Sequence, residues 1–183
     1  MIDIRNNNYR QLTKIPKIGK LAIIAGMVTV ASSAQVMAAT ATTSDGTISV
    51  TLSAPDTVVV GRQFVATVQV QNVTTATIGI ASSGAQYDRS TFQIKGLSSP
   101  TPRAVCERAT SRGITGFAVC GNVPLAPGAT IPLAPDATIS TNVVLQSGSV
   151  GALAIGSYGY TATGPFVQGI FTSGPSVTVN SVR

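Results

Sequence analysis

The side chains able to do chemistry in this chain are few, and their types confine it. Cys106 and Cys120 are the two cysteines among 183 residues. They form no Cys-x-x-Cys pair and follow no helix start that would stabilise a thiolate, so they point to a structural bond in place of redox exchange. If Ala104–Glu107 and Thr115–Cys120 are the arms of a hairpin turning near Ser111–Gly113, Gly113 is the midpoint between the cysteines. They then face each other across adjacent strands, within bonding range at a non-hydrogen-bonded pair. Closing a loop of about 15 residues stabilises by roughly 3 kcal/mol in the chain-entropy model. Unpaired or intermolecular thiols are the alternative.

After the first 38 residues the carboxylates are Asp45, Asp56, Asp88, Glu107 and Asp136. Paired acid–base catalysis needs two of them to converge on one substrate. Each stands alone beside turn or hairpin residues, where Asp commonly caps its own backbone. A calcium site lacks an Asp-x-Asp cluster, leaving Asp136 with loop carbonyls as the best candidate for a weak one. The chain has no His, which excludes Ser-His-Asp and Cys-His nucleophiles, His-containing zinc sites and histidine proton shuttles. Neither a Gly-x-Ser-x-Gly elbow nor a phosphate-cradling glycine loop is present. The reading is no catalytic residue, no metal and no cofactor.

Arg103, Arg108 and Arg112 form the basic cluster of the later chain, in or near the cysteine hairpin. Its plain reading is a solvated hairpin tip. The functional reading is a patch for an anionic partner such as surface polysaccharide or anionic lipid. Nucleic acid is excluded as a partner, because single-strand binders interleave aromatics to stack bases and this stretch offers only Phe117. Tyr158 and Tyr160, two apart, share a strand face and read as core or rim packing.

The formal charge of +6 belongs mostly to the N-terminal segment. Arg5, Arg10, Lys14, Lys17 and Lys20 lie there with the single acid Asp3, whereas the rest of the chain carries a net +2. A basic stretch to Lys20, an apolar run from Leu21 to Val30 and a small-residue segment Ala31–Ala39 follow in the order of a secretory signal peptide. Cleavage after Ala38 fits, with Ala34 and Ala39 as further candidates. An uncleaved anchor is the alternative, since Leu21–Ala39 approaches the ~20 residues of a spanning helix, although Ser32, Ser33 and Gln35 weaken it. The expected layout is a signal peptide over 1–38, a flexible tail over 39–45 and one folded domain over 46–183. Membrane contact is then confined to the signal segment before cleavage, and the mature protein is secreted or held at the cell surface, in a bacterial periplasm or outside it.

Past the leader, strand signals dominate. Gly46–Ser53 alternates strictly, with Ile48, Val50 and Leu52 on one face. Arg62–Val73 does the same with Phe64, Ala66, Val68 and Val70, and Ala137–Gln146 with Ile139, Val143 and Leu145. Shorter candidates are Thr77–Ala81, Thr91–Lys95, Ser157–Thr163 and Ser176–Val182, besides the two hairpin arms. Turn chemistry is read at Ala54–Asp56, Gly61, Ser82–Gly84, Ser98–Pro102, Ser147–Gly148 and Ser173–Pro175. About seven to nine short strands with turns every ~8 to 12 residues predict an all-β, antiparallel, Ig-like sandwich, with a small barrel as the rival. Pro124–Ile131 is repeated at once as Pro132–Ile139, differing only in Gly128 against Asp136. Two copies of eight residues cannot bury a face by stacking. They read as a duplicated loop segment whose even length keeps the following strand in phase.

The strand leading into Ala54–Gly61, the alternating strand ending Val70–Asn72, the cysteine hairpin and Leu125–Gly128 entering another strand together carry a resemblance. Over roughly Gly46–Leu145 the chain resembles the Ig-like conserved repeat domain of unknown function found in bacterial and archaeal surface proteins. That resemblance implies an extracellular structural or adhesive module with a protein or cell-envelope partner, and supplies no catalytic residue. The rival functions are a fibre or pilus-like subunit that self-associates by strand addition, with the polar tail pairing to a neighbour's sheet edge, and a ligand-binding accessory module or small carboxylate-dependent hydrolase.

Overall fold

Alternating small and β-branched residues with few charges leave the backbone one economical way to bury its apolar faces, two sheets packed face to face. The computed structural model describes residues 35–110, 113–121, 132–162 and 170–183. Its strands are β1 (Val36–Thr42), β2 (Ile48–Pro55), β3 (Thr57–Val59), β4 (Gln63–Asn72), β5 (Ile80–Asp88), β6 (Phe92–Ser98), β7 (Val105–Thr110), β8 (Thr115–Gly121), β9 (Thr138–Ser147), β10 (Gly151–Ala162) and β11 (Ile170–Val182). A five-stranded sheet has the order β1-β2-β4-β9-β6, and a six-stranded sheet the order β3-β11-β10-β5-β8-β7. Every pairing is antiparallel except that of β3 with β11.

The three long alternations set the core. Val50 lies opposite Val70, and Val70 opposite Ile139. Ile48, Leu52, Ala66, Val68, Val143 and Leu145 join them fully buried. The facing sheet contributes Ala81, Ala85, Ala118, Ile155 and Val179. Three hydroxyl contacts bridge the buried layer: Ser83 with Thr141 at 2.6 Å, Thr141 donating to the Ser83 carbonyl at 2.7 Å, and Ser147 with Ser181 at 2.7 Å.

Four expectations change. The stretch 39–45 is not a loose tail: its first residues complete β1, paired from Val36↔Pro55 to Thr42↔Ser49, and the rest is a turn. Met37 and Ala39 pack against the core, because an alanine over Leu52 buries enough surface to dock an edge strand. The sandwich therefore begins before residue 46. Ser82–Gly84 is the interior of β5, where the Tyr158 ring occupies the space a side chain on Gly84 would need. Ser173–Pro175 likewise lies within β11 beside the register shift between Gly156 and Tyr158. With β1 and β3 added, eleven strands stand among the described residues where seven to nine were expected.

The repeat is split by this description. Pro124–Ile131 lies outside the described residues. The second copy supplies buried Leu133, which exchanges backbone hydrogen bonds with Ile78, and Ile139 of β9.

Candidate interaction surface

The cysteine hairpin forms as its spacing implies. Cys106 lies opposite Cys120 in the β7–β8 register, and the two are disulfide-bonded with their Cα atoms 4.1 Å apart. Arg103, exposed at φ 64 in the turn before β7, and Arg108, exposed on β7, belong to this end of the six-stranded sheet. Arg112 lies outside the described residues. The groups that the structure gathers here are Arg108 and Arg89, both near Tyr87. Burial pushes the Tyr87 hydroxyl up, and the charges of Arg108 and then Arg89 oppose that shift. Arg89 was invisible as a neighbour in the sequence; the β5–β8 register brings it there, since Asp88 pairs with Thr115.

Beside this hairpin, an open trough of about 340 Å³ is lined in part by Gln86, Tyr87, Ile114, Thr115, Gly156 and Ser176. Asp88 on its wall accepts bonds from the Ser90 backbone N–H and hydroxyl, both at 2.7 Å, which hold its carboxyl below the ordinary value. Deeper in the same sheet Tyr158 stands edge-on to Phe117 with ring centroids 6.0 Å apart, and burial pushes its hydroxyl up to about 12. The tyrosine is a packed wall.

Asp45 and Asp88 are each bonded within their own turn. Asp45 is held below its ordinary value by the Thr43 hydroxyl, then by the Thr47 backbone and hydroxyl, within its own turn. Asp136 sits exposed at φ 60, donating its N–H to the Asn72 carbonyl. Among the described residues no three His, Cys, Asp or Glu side chains are grouped to hold a metal. Asn72, the first residue of a formal glycosylation sequon, is fully buried. Its amide donates to Ala76 and Leu133 carbonyls at 2.7 and 2.9 Å and its oxygen accepts from Thr74, so the side chain clamps a corner.

One extended face carries no charged side chain. β1, β2, β4 and β9, four neighbours in one sheet, contain no Asp, Glu, Lys or Arg. Their outer face is mostly Thr, Ser, Gln and Asn with Val36, Ala38, Val65 and Val144 among them, Thr40 being bonded to Thr51 at 2.9 Å and Thr67 donating to Asn142 at 3.0 Å. The signal was present in the alternation, whose polar positions hold only uncharged residues. A search directed at reactive groups passes over it.

The sheet edges differ in kind. Flanking the β1–β2 ladder, Thr43 N–H donates to Ile48 carbonyl and Asp56 N–H to Gln35 carbonyl. Antiparallel bonding alternates along a strand, so the odd-numbered residues of β1 bond to β2. The backbone groups of Val36, Ala38, Thr40 and Thr42 face outward. β1 has no charge, proline or bulge. β6 carries Lys95 at a register shift between Ile94 and Gly96, β7 carries Glu107 and Arg108 and is tied by the disulfide, and β3 is three residues long.

With this geometry established, the comparisons fall on the fold. No model of a known protein family matches the chain, and no curated protein matches it. A cohesin module from a family 33 glycoside hydrolase of Clostridium perfringens superposes with a TM-score of 0.56 at 15% identity, over 72% of this chain and 94% of that one. The full-length major pilin SpaD of Corynebacterium diphtheriae superposes more loosely (TM-score 0.47, 6% identity, 66% of this chain and 31% of the pilin). So does a non-cellulosomal cohesin of Archaeoglobus fulgidus (TM-score 0.42, 11% identity, 71% and 88%). At such identities the likeness is one of architecture: the chain is an all-β, Ig-like sandwich. Among the described residues no helix is long and apolar enough to cross a membrane.

Proposed function

We propose that this protein is an exported, non-enzymatic structural or adhesive module that acts by contact with a protein or cell-envelope partner. The uncharged outer face of β1, β2, β4 and β9 carries this reading. Interface cores are depleted of charge because buried charges must be desolvated, and about a quarter of an average protein's residues are charged against 10% here. Four adjacent strands without a charged side chain are a surface that docks at low desolvation cost. The sandwich architecture and the resemblance to Ig-like surface repeats support the same reading. For the leader, we propose cleavage after Ala34, since cleavage after Ala38 would remove Val36, Met37 and Ala38 from β1.

The test is made in the protein's own host. Protease treatment of intact cells should remove the protein, and the double variant Val65→Lys with Gln69→Lys, which charges the face without touching the core, should abolish attachment of displayed protein to its surface. Protein retained in the cytoplasm with residues 1–34 attached, or attachment unchanged in the double variant, overturns the reading.

A further inference from the structure

We infer that the edge of β1, unpaired among the described residues, is a self-pairing surface: β1 of one copy pairs antiparallel with β1 of a second, joining two five-stranded sheets into one. The inference deepens the contact function proposed above and commits it to a second copy of this chain at this edge. An exposed edge strand templates pairing unless something blocks it, and folded proteins block edges with charge, proline, bulges, shortness or a covering element. Three of the four edges in this sandwich carry such a device: the Lys95 bulge in β6, the charges and covalent tie of β7, the brevity of β3. Among the described residues β1 presents seven, Val-Met-Ala-Ala-Thr-Ala-Thr, with none of them.

The bonding phase fixes the register that a second copy would take. Val36, Ala38, Thr40 and Thr42 offer outward N–H and carbonyl groups. A two-fold axis through Ala39 sets Ala38 opposite Thr40 and Val36 opposite Thr42 of the other copy, each pair exchanging both bonds. Ala39 then meets its own counterpart at the close, non-hydrogen-bonded position, where a methyl side chain fits and a larger one would crowd. Paired residues share a face, so the two uncharged Thr and Ser lattices become continuous. The charge nearest in the sequence, Asp45, lies in the turn beyond β1, so the two-fold sends the two copies of it to opposite ends. A self-complementary patch of this kind closes as an isologous dimer.

The experiment is sedimentation velocity over a wide concentration range on the exported, processed protein, with its intact mass determined first. Wild-type protein should show a concentration-dependent monomer–dimer exchange. Ala38→Pro deletes an outward N–H while leaving every bond to β2, and Ala38→Lys adds a charge beside the dyad; both should remain monomeric throughout. The face variant Val65→Lys with Gln69→Lys should dimerise like wild type. If Ala38→Pro fails to fold, Ala38→Lys decides alone. A wild type that stays monomeric, a dimer that persists in the Ala38 variants, a dimer lost in the face variant, or a mature chain beginning at Ala39 overturns the inference. Loss of cell attachment in the face variant with no dimer in wild type would sink this inference alone; a dimer with unchanged attachment would sink the contact function through the face alone.

Discussion

The β1 edge and the β7 edge sit on different sheets and solve the same problem in opposite ways. β7 is fixed to its neighbour by a covalent bond, carries Glu107 and Arg108, and borders the ends that hold Arg89 and Arg103. β1 is held by ladder bonds and two modest apolar contacts, Met37 and Ala39. Structural security and freedom to associate are thus separated. The hairpin end is made stable and uninviting, whereas the five-stranded sheet is left uncharged where a partner would lie.

That contrast breaks first at Gly121. Its φ of 146, together with Ser82 Cα at 2.5 Å and Ala81 carbonyl at 2.7 Å from an added Cβ, leaves no room for a side chain. Gly121→Ala should cost about 4 kcal/mol or abolish folding, combining backbone strain with overpacking; Gly113→Ala, with nothing within 4 Å but φ 123, should cost only the strain. Denaturant unfolding of both separates the terms. Next is the covalent tie: Cys106→Ala with Cys120→Ala should lower stability by about 3 kcal/mol while the far-UV β signal persists at low temperature. On the other sheet, Asn72→Ala removes the amide's bonds to the Leu133 and Ala76 carbonyls and the acceptor of the Thr74 N–H, and should cost about 2 kcal/mol, read as a lower melting temperature without change at the hairpin.

Those sites also show what the residue pattern makes legible. β2, β4 and β9 are readable because large apolar residues recur on one face along each strand. The disulfide is readable because a hairpin midpoint between two cysteines leaves little geometric freedom. β5 and β11 are obscured because Ser-Ser-Gly and Ser-Gly-Pro are turn signals that here answer a packing demand, the ring of Tyr158 over Gly84 and the closeness of Val50 to Gly174. β1 is obscured because alanine and threonine alternate too weakly to register as a buried face. Arg89 is missed for another reason: proximity through a β register has no trace in local sequence.

A smaller test concerns the loop that feeds β9. Deleting Pro132–Ile139 or Pro124–Ile131 gives sequences that differ at one position, Gly128 or Asp136. Both should fold, and the glycine form should be the more stable by less than about 1 kcal/mol, because Asp136 sits at φ 60 where glycine is unstrained. Paired melting curves check this. The smallest effect is acidic. Asp45 and Asp88 are held below their ordinary value of 3.8 in the folded protein. Their contribution is therefore complete above that pH and is lost as the pH falls through the lower folded values. Asp45→Asn should lower the neutral melting temperature slightly and meet the wild-type value in acid, so that part of the acid decline is flattened.

The strand order also governs the timing of assembly. β9 is inserted between β4 and β6, so the Thr67–Asn142 contact joins residues 75 positions apart. A chain emerging from its N-terminus can form the β1–β2–β4 meander early, yet the far side of β4 has no neighbour until residue 147 has arrived. The cysteine hairpin closes over 14 positions and needs no such wait. Non-local pairing is slow because the loop must be ordered before its contacts form. During that interval an apolar, uncharged strand is bare on one side, and this is the window in which the unfinished protein is most prone to pair with the wrong neighbour.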